Sequence, residues 1–196
     1  MKKILVIAAL AIFSFANAQK GSVLVMGSIG YNSQNSGHEA FENNYHYFSF
    51  SPKVGYQFHE NWTAGLTGAV STVKNEDGTV YESKTNTFSL GGFLRYSKPL
   101  NQTFSAYADL GMGYQNSKVT TRNGLINTTN KGNGFYVGIT PAIFINVNKG
   151  FGLNFNIGGL NYGSMNFDND NNSGTDRNSF DFTFGQAFSV GISKNF

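Results

Sequence analysis

Residues 48–70 read FSFSPKVGYQFHENWTAGLTGAV. Apolar side chains stand at every second position from Phe48 to Phe58, the polar triplet His59-Glu60-Asn61 interrupts the pattern, and the alternation resumes at Trp62. Because successive side chains of a strand point to opposite faces, each half of this stretch has one apolar face and one face rich in Ser, Thr, Lys and Gln. The stretch predicts two antiparallel strands joined by a tight turn.

The same alternating segment recurs along the chain. We predict strands at about residues 21–31, 46–58, 62–73, 86–96, 104–115, 135–147, 151–162 and 180–196. A strand that crosses a bilayer needs only about 9–11 residues and shows lipid an apolar side chain at every other position. An unpaired backbone group in hydrocarbon costs several kcal/mol, so such a sheet has to close on itself. The sequence predicts an all-β fold, an antiparallel up-and-down transmembrane β-barrel of about eight strands.

The connections between these segments alternate in length. Residues 59–61, 97–103 and 148–150 are short turns, whereas residues 32–45, 74–85, 116–134 and 163–179 are long and rich in Asn, Ser and Gly. Bacterial barrels have short periplasmic turns and longer extracellular loops, so the pattern also predicts the orientation. The alternative fold, a soluble lipocalin-like barrel, would bury its Phe side chains inside and need polar residues outside.

The N-terminus has the order of an export signal. Lys2 and Lys3 are followed by an apolar run over residues 4–13 and by the small residues of Ala16-Asn17-Ala18. The run is too short to span a membrane as a helix. We expect residues 1–18 to be a signal peptide, residues 19–196 to form the barrel domain, and the protein to reside in a Gram-negative outer membrane. A retained anchor or a buried core helix is the alternative.

Composition narrows the possible chemistry. The chain has no Cys, which removes disulfides, thiolate metal sites and cysteine nucleophiles. The formal net charge is +3, including Lys2 and Lys3, and no basic block stands out. The sequence therefore predicts no nucleic-acid partner and no cofactor.

Four charged residues point inward by strand parity: Lys53, Arg95, Asp109 and Asp181. About eight strands leave an interior that side chains fill, and an unpaired buried charge is costly. We expect these residues to form a structural charge network in the lumen. A path for protons or substrate is the alternative.

Pro52 and Pro141 fall in the middle of predicted strands. A proline removes a ladder donor where no water can compensate. The sequence predicts a bulge at each position. If either site were a break, the strand count would change.

The histidines are the residues most suited to acid–base catalysis. His46 and Ser49 are close in sequence, but their opposite parity sends them to opposite faces. His59 belongs to a rim turn and His38 to a long connection. No nucleophile, base and orienting group can be placed together, so we predict no enzyme activity.

The segment from Asp168 to Asp176 alternates oxygen-bearing side chains, as calcium loops do. Its glycine comes one position late for an EF-hand and its twelfth position is Ser179 instead of Glu. Asn, Asp, Ser and Gly are ordinary turn formers. We therefore predict that calcium binding here is weak or absent, and assign no metal site.

Over residues 19–196 the chain resembles the small outer-membrane barrels of the OmpA/OmpX-like group and the wider porin-like outer membrane protein beta-barrel family. Such proteins end in an aromatic-terminated strand that the outer-membrane insertion machinery recognises. Ser189, Gly191 and Phe196 match that signal, whereas Lys194 departs from it. The resemblance implies two partners, outer-membrane lipid and the insertion machinery.

Three functions fit this architecture. The first is a structural or surface-interaction role, in which long extracellular loops contact an envelope or extracellular partner. The second is a narrow porin-like channel for ions or small solutes, and the third is a lipid-modifying enzyme. The sequence favours the first.

Overall fold

The computed structural model describes residues 21–38, 41–77, 81–168 and 174–196. Within these residues the chain forms eight strands: β1 Val23–His38, β2 Phe41–His59, β3 Trp62–Glu76, β4 Tyr81–Pro99, β5 Phe104–Asn123, β6 Ile126–Asn148, β7 Phe151–Asp168 and β8 Thr175–Asn195. Each strand pairs antiparallel with its neighbours in sequence, and β8 closes the ring against β1. The predicted all-β, eight-stranded, up-and-down barrel is confirmed. The predicted signal peptide lies outside the described residues.

No helix in the described part of the chain is long and apolar enough to cross a membrane. The large apolar side chains instead lie on the outer surface of the barrel, as the alternation predicts. Ile29, Leu66 and Met112 are each more than half exposed. The interior holds a small apolar cluster of Leu24, Met26 and Phe93. The barrel is therefore apolar outside and mixed inside, which is the pattern that lipid requires of a spanning sheet.

The strands are longer than the sequence predicts. β6 has 23 residues, about twice the length that a bilayer needs. Much of the predicted long connections 32–45 and 116–134 is paired strand, although their Asn, Ser and Thr side chains show no hydrophobic alternation. β5 and β6 stay in register up to Asn123 opposite Ile126, where Gly124 takes a φ of 60° in the turn. Asn123-Gly124, a dipeptide typical of tight hairpin turns, thus lies at the tip.

The two prolines behave differently. At Pro141 the β6–β7 register shifts, but the extra residue lies on β7, where residues 157–159 face only Thr140 and Pro141. At Pro52 the predicted bulge is wrong, because the β2–β3 register is the same on both sides of the proline. The ladder pairs of Ser51 and Pro52 with β3 are simply absent from the described register. Loss of one donor interrupts a ladder without requiring an inserted residue.

The seam between β1 and β8 is short. In the described residues it pairs positions 24–28 with positions 191–195, and Val23 and Phe196 exchange two backbone hydrogen bonds. Farther from the short turns, the β7–β8 register jumps, since Ile157 alone faces residues 185–188 of β8. Gly158 and Gly185 have φ values of 107° and 75°, which accommodate the irregularity. Beyond this bulge the described residues of β8 pair with β7 only.

The assignment of faces predicts opposite responses at two adjacent residues of β4. Leu90 is 54% exposed on the outer surface, whereas Ser89 lines the lumen. We expect Leu90→Arg to cost about 2–4 kcal/mol and to impair insertion, because it places a charge in hydrocarbon near the midplane. Ser89→Arg is the matched control and should cost less. Urea unfolding in liposomes, followed by the fluorescence of Trp62, measures both. Equal losses would contradict the assigned faces.

Candidate functional site

An ion pair lies at the centre of the lumen. Arg95 on β4 and Asp109 on β5 occupy opposite positions in the ladder and both point inward. Arg95 Nε donates to Asp109 Oδ1 at 2.6 Å, and Arg95 Nη2 donates to Oδ2 at 2.9 Å. Both residues are buried. The bidentate geometry is the arrangement that best offsets the cost of burying two charges.

A second cation reaches the same carboxylate from across the barrel. Lys53 Nζ on β2 lies 2.7 Å from Asp109 Oδ2. The centre therefore holds two cations and one anion. Aromatic faces provide additional compensation, because the Arg95 guanidinium lies 3.7 Å from the centre of the Tyr107 ring and Lys53 Nζ lies 5.4 Å from that of Phe93. The group formed by Met26, Lys53, Phe93, Arg95, Tyr107 and Asp109 is called the lumen plug below.

A chain of hydrogen bonds connects the lumen plug to the closing strands. Tyr107 Oη donates to Asn154 Oδ1 on β7 at 3.0 Å, and Asn154 Nδ2 donates to Ser193 Oγ on β8 at 2.8 Å. Asn154 is fully buried. In the described part of the chain every buried side-chain nitrogen and oxygen has a hydrogen-bond partner. A fully satisfied network of this kind fixes the positions of the strands that contribute to it.

The lumen plug divides the interior. One cavity of about 160 Å³ lies on the side of the short turns and is lined by Leu24, Arg95 and Tyr107. Another of about 390 Å³ lies on the far side and is lined by Lys53, Phe93 and Asp109. The plug residues are thus shared between two chambers. At this level the lumen is filled by side chains, as expected for a barrel of eight strands.

The structure brings together three of the four inward charges that the sequence singles out. Asp181 does not join them. It pairs with Asn161 on β7 and is exposed, since it lies beyond the bulge at residues 185–188, in the described part of β8 that has no pairing with β1. Sequence reasoning missed Tyr107, although its parity with Asp109 two residues later places it inward. It also missed Met26, whose Sδ accepts from Arg95 Nη2 at 3.4 Å.

The residues of the predicted insertion signal lie on the closing strand. Gly191 pairs with Ser28, and the exposed Phe196 is held by its backbone bonds to Val23. The side chain of Ser189 lies outside the described residues. Lys194 Nζ donates to the carbonyl of Lys149 in a short turn at 2.6 Å, so its charge reaches the rim. The recognition of this strand by insertion machinery stays a prediction.

The remaining candidates are not assembled into a site. His46 hydrogen-bonds Ser33 on the outer surface at 3.1 Å and not Ser49. Residues 169–173 of the calcium-loop candidate lie outside the described part, and Asp176 accepts a hydrogen bond from Asn166. In the residues that are described, no group of three His, Asp or Glu side chains could hold a metal ion.

A closed ring of eight antiparallel strands with an apolar outer surface and a filled interior defines an integral outer-membrane β-barrel protein. The family comparison agrees: the chain belongs to the outer membrane protein beta-barrel domain family, whose model matches residues 4–194. No curated protein sequence matches the chain significantly. In this family the short turns lie on the periplasmic side and the long hairpins outside.

Two solved structures show the same fold at low identity. A major outer membrane protein from Thermus thermophilus has 11% identity and a TM-score of 0.55, with 90% of this chain and 99% of that chain covered. Neisserial surface protein A has 14% identity and a TM-score of 0.50, with 91% of this chain and 100% of that chain covered. Identities this low support the architecture alone.

The lumen plug predicts different responses at two aspartates. Asp109→Asn leaves two cations in the lumen without a carboxylate, so we expect a loss of about 3–5 kcal/mol in the free energy of unfolding. Asp181→Asn is the matched control and should change stability by less than about 0.5 kcal/mol, because Asp181 is exposed. Urea titration of the refolded barrel measures both. Similar losses at the two positions would contradict the geometry.

Proposed function

We propose that this protein is a surface-interaction protein of the outer membrane, in which the barrel anchors β-hairpins that contact an extracellular or envelope partner. The observation that carries this proposal is the height of the β5–β6 hairpin. The two strands stay paired from Tyr114 opposite Phe135, at the end of the apolar surface, to Asn123 opposite Ile126. This is about 30 Å of sheet beyond the last outward aromatic residues.

The hairpin has the properties of a binding element. Its paired backbone holds its shape, so a partner would pay little entropy to order it. Its tip exposes two adjacent large apolar side chains, with Leu125 completely exposed and Ile126 71% exposed. A single exposed leucine needs no explanation, but adjacent apolar residues at the end of a polar hairpin are suited to a contact with another molecule.

The filled lumen argues against the channel alternative. A solute would have to pass the lumen plug, where Asp109 is held by both Arg95 and Lys53. Breaking a buried ion pair costs several kcal/mol, so spontaneous opening would be rare. A steady ion conductance of the protein in planar bilayers would favour the channel over our proposal.

The hairpin can be tested by replacing residues 119–130 with Asn-Gly. Lys118 and Lys131 are opposite each other, so a two-residue turn can join them without disturbing the barrel. We expect labelled protein in lipid nanodiscs to bind intact bacteria or protein-coated surfaces, and this replacement to reduce binding at least about tenfold, since it removes the protruding surface. Leu125→Asn with Ile126→Thr tests the tip alone, and an equally folded short form that binds as well as the original would contradict the proposal.

The lipid-modifying alternative has one contact in its favour, the hydrogen bond between Ser33 and His46 on the outer surface. A nucleophile and base also need an orienting group, usually a carboxylate. The residue opposite His46 on β3 is Lys74, whose ammonium group cannot accept a hydrogen bond from the imidazole as a carboxylate would.

We therefore expect Ser33→Ala to leave the outer-membrane lipid unchanged in mass, because no assembled triad is removed. Mass spectrometry of lipid A from cells with the original protein, with Ser33→Ala and without the gene provides the comparison. A mass difference that requires Ser33 would identify an enzyme.

A further inference from the structure

Four neighbouring strands repeat one pattern on the outer surface. On each, the fourth residue beyond the last outward apolar side chain is a lysine: Val70 precedes Lys74, Phe88 follows Lys84, Tyr114 precedes Lys118, and Phe135 follows Lys131. An even spacing keeps each lysine on the same face as its apolar residue. These lysines of β3 to β6 are called the lysine belt.

The belt lies at the level of the lipid headgroups. At about 3.3 Å per residue and a strand tilt of about 40°, four residues raise the backbone about 10 Å above the last apolar position. The polar layer of a bilayer extends roughly 5–8 Å beyond the hydrocarbon. A lysine side chain is long and flexible, so its ammonium group can bend back to this layer.

A polar layer separates the belt from the apolar surface and connects the strands. Thr72 Oγ1 donates to Asn86 Oδ1 at 3.0 Å, between β3 and β4. Asn133 Oδ1 accepts from Asn116 Nδ2 at 2.7 Å and from Tyr114 Oη at 2.5 Å, between β5 and β6. These bonds hold the backbone under the lysines in a fixed register. The backbone positions of the lysines within each strand pair are therefore fixed relative to each other.

The charges within the belt are poorly compensated. Lys74 lies opposite Lys84, and Lys118 lies opposite Lys131, although like charges directly across a sheet are destabilising. Lys74 contacts Glu76 at 2.7 Å and Glu82 at 3.5 Å. In the part of the chain that the structure describes, no carboxylate lies within ion-pair distance of Lys84, Lys118 or Lys131.

Other charges on this face do not neutralise it. Asp168 is the ladder partner of Lys131, and Glu82 is that of Arg122, but neither forms an ion pair there among the described residues. The hydrogen bond with Glu76 raises the pKa of Lys74, so Lys74 is fully charged at neutral pH. On β7 and β8, the strands that follow β6 around the ring, Asp168 and Asp176 lie on the outward face at the corresponding level. The lysines of the belt thus end at β6, where the acidic outward positions of β7 and β8 begin.

We propose that the lysine belt binds the phosphate groups of phosphorylated glycolipid in the outer leaflet. Lys118 and Lys131, about 5 Å apart at Cβ, can donate to one phosphate from two sides. Such an anion removes the repulsion between the paired lysines and provides the missing counter-charge. Glycolipid bound in this way would lie against the outer surface of β3 to β6. It would not be held at β7 and β8, whose outward residues at this level are acidic.

The experiment measures retention of lipid A that carries both phosphates, by native mass spectrometry of the full-length mature barrel after exchange into detergent. We expect Lys118→Gln with Lys131→Gln to lower the retained lipid about tenfold, through loss of two ionic contacts. Lys149→Gln with Arg177→Gln removes the same charge from exposed positions outside the belt and should leave retention unchanged. Lys84→Gln alone should have a smaller effect in the same direction, which keeps the test available if the double variant folds poorly.

Three results would overturn the proposal. The first is equal retention of enzymatically dephosphorylated lipid A, which would show that acyl chains alone account for binding. The second is equal retention of phosphatidylglycerol, which would show attraction to any anionic lipid. Loss of retention in both double variants would likewise show an effect of net charge and not of the belt.

Discussion

Hydrocarbon offers no hydrogen-bond partner, so every backbone group of this chain that faces lipid has to be satisfied by a neighbouring strand. The closed order from β1 to β8 is the answer to that constraint. This constraint explains why Pro52 and Pro141 each stand where pairing with one neighbouring strand is interrupted and pairing with the other is retained. Pro52 keeps its register with Gly27 on β1, and Pro141 keeps its register with Ala108 on β5. The sheet tolerates the loss of a donor on one side because the other side stays continuous.

Closure at eight strands then determines what the interior can hold. A barrel of eight strands has an interior that side chains can fill, so the inward side chains have to satisfy one another. Arg95 and Asp109 meet because β4 and β5 place them directly opposite, and Lys53 reaches them from the far wall. Lys53 and Arg95 carry one more positive charge than Asp109 can balance. Lys53 lies near the ring of Phe93, and Arg95 lies against that of Tyr107. The same closed geometry therefore determines which side chains meet inside the barrel.

Much of this could be predicted from the alternation of side chains, because a dyad rhythm specifies both strand and face. Lys53, Arg95 and Asp109 were accessible to parity alone. The separation of Asp181 from the other three charges could not be predicted in this way. The β8 bulge leaves the even spacing of the apolar residues intact, so the sequence shows an unbroken strand from Phe180 and Phe182 to Val190 and Ile192. On β7 the phase changes between Ile157 and Leu160, and Gly158-Gly159 was the available signal. The length of the outer strands was hidden for another reason: polar residues alternate as regularly as apolar ones, but hydrophobic periodicity does not report them.

The short seam between β1 and β8 has a consequence for the motions of the barrel. Among the described residues its ladder covers positions 24–28 only, whereas β5 and β6 are paired from Phe104 to Asn123. Amide protons at the seam can therefore exchange with deuterated solvent through small local openings, while those in the middle of β5 exchange only when the whole sheet comes apart. The seam between the first and last strands is therefore the part of the sheet that is least protected from exchange, whereas the other strand pairs open together.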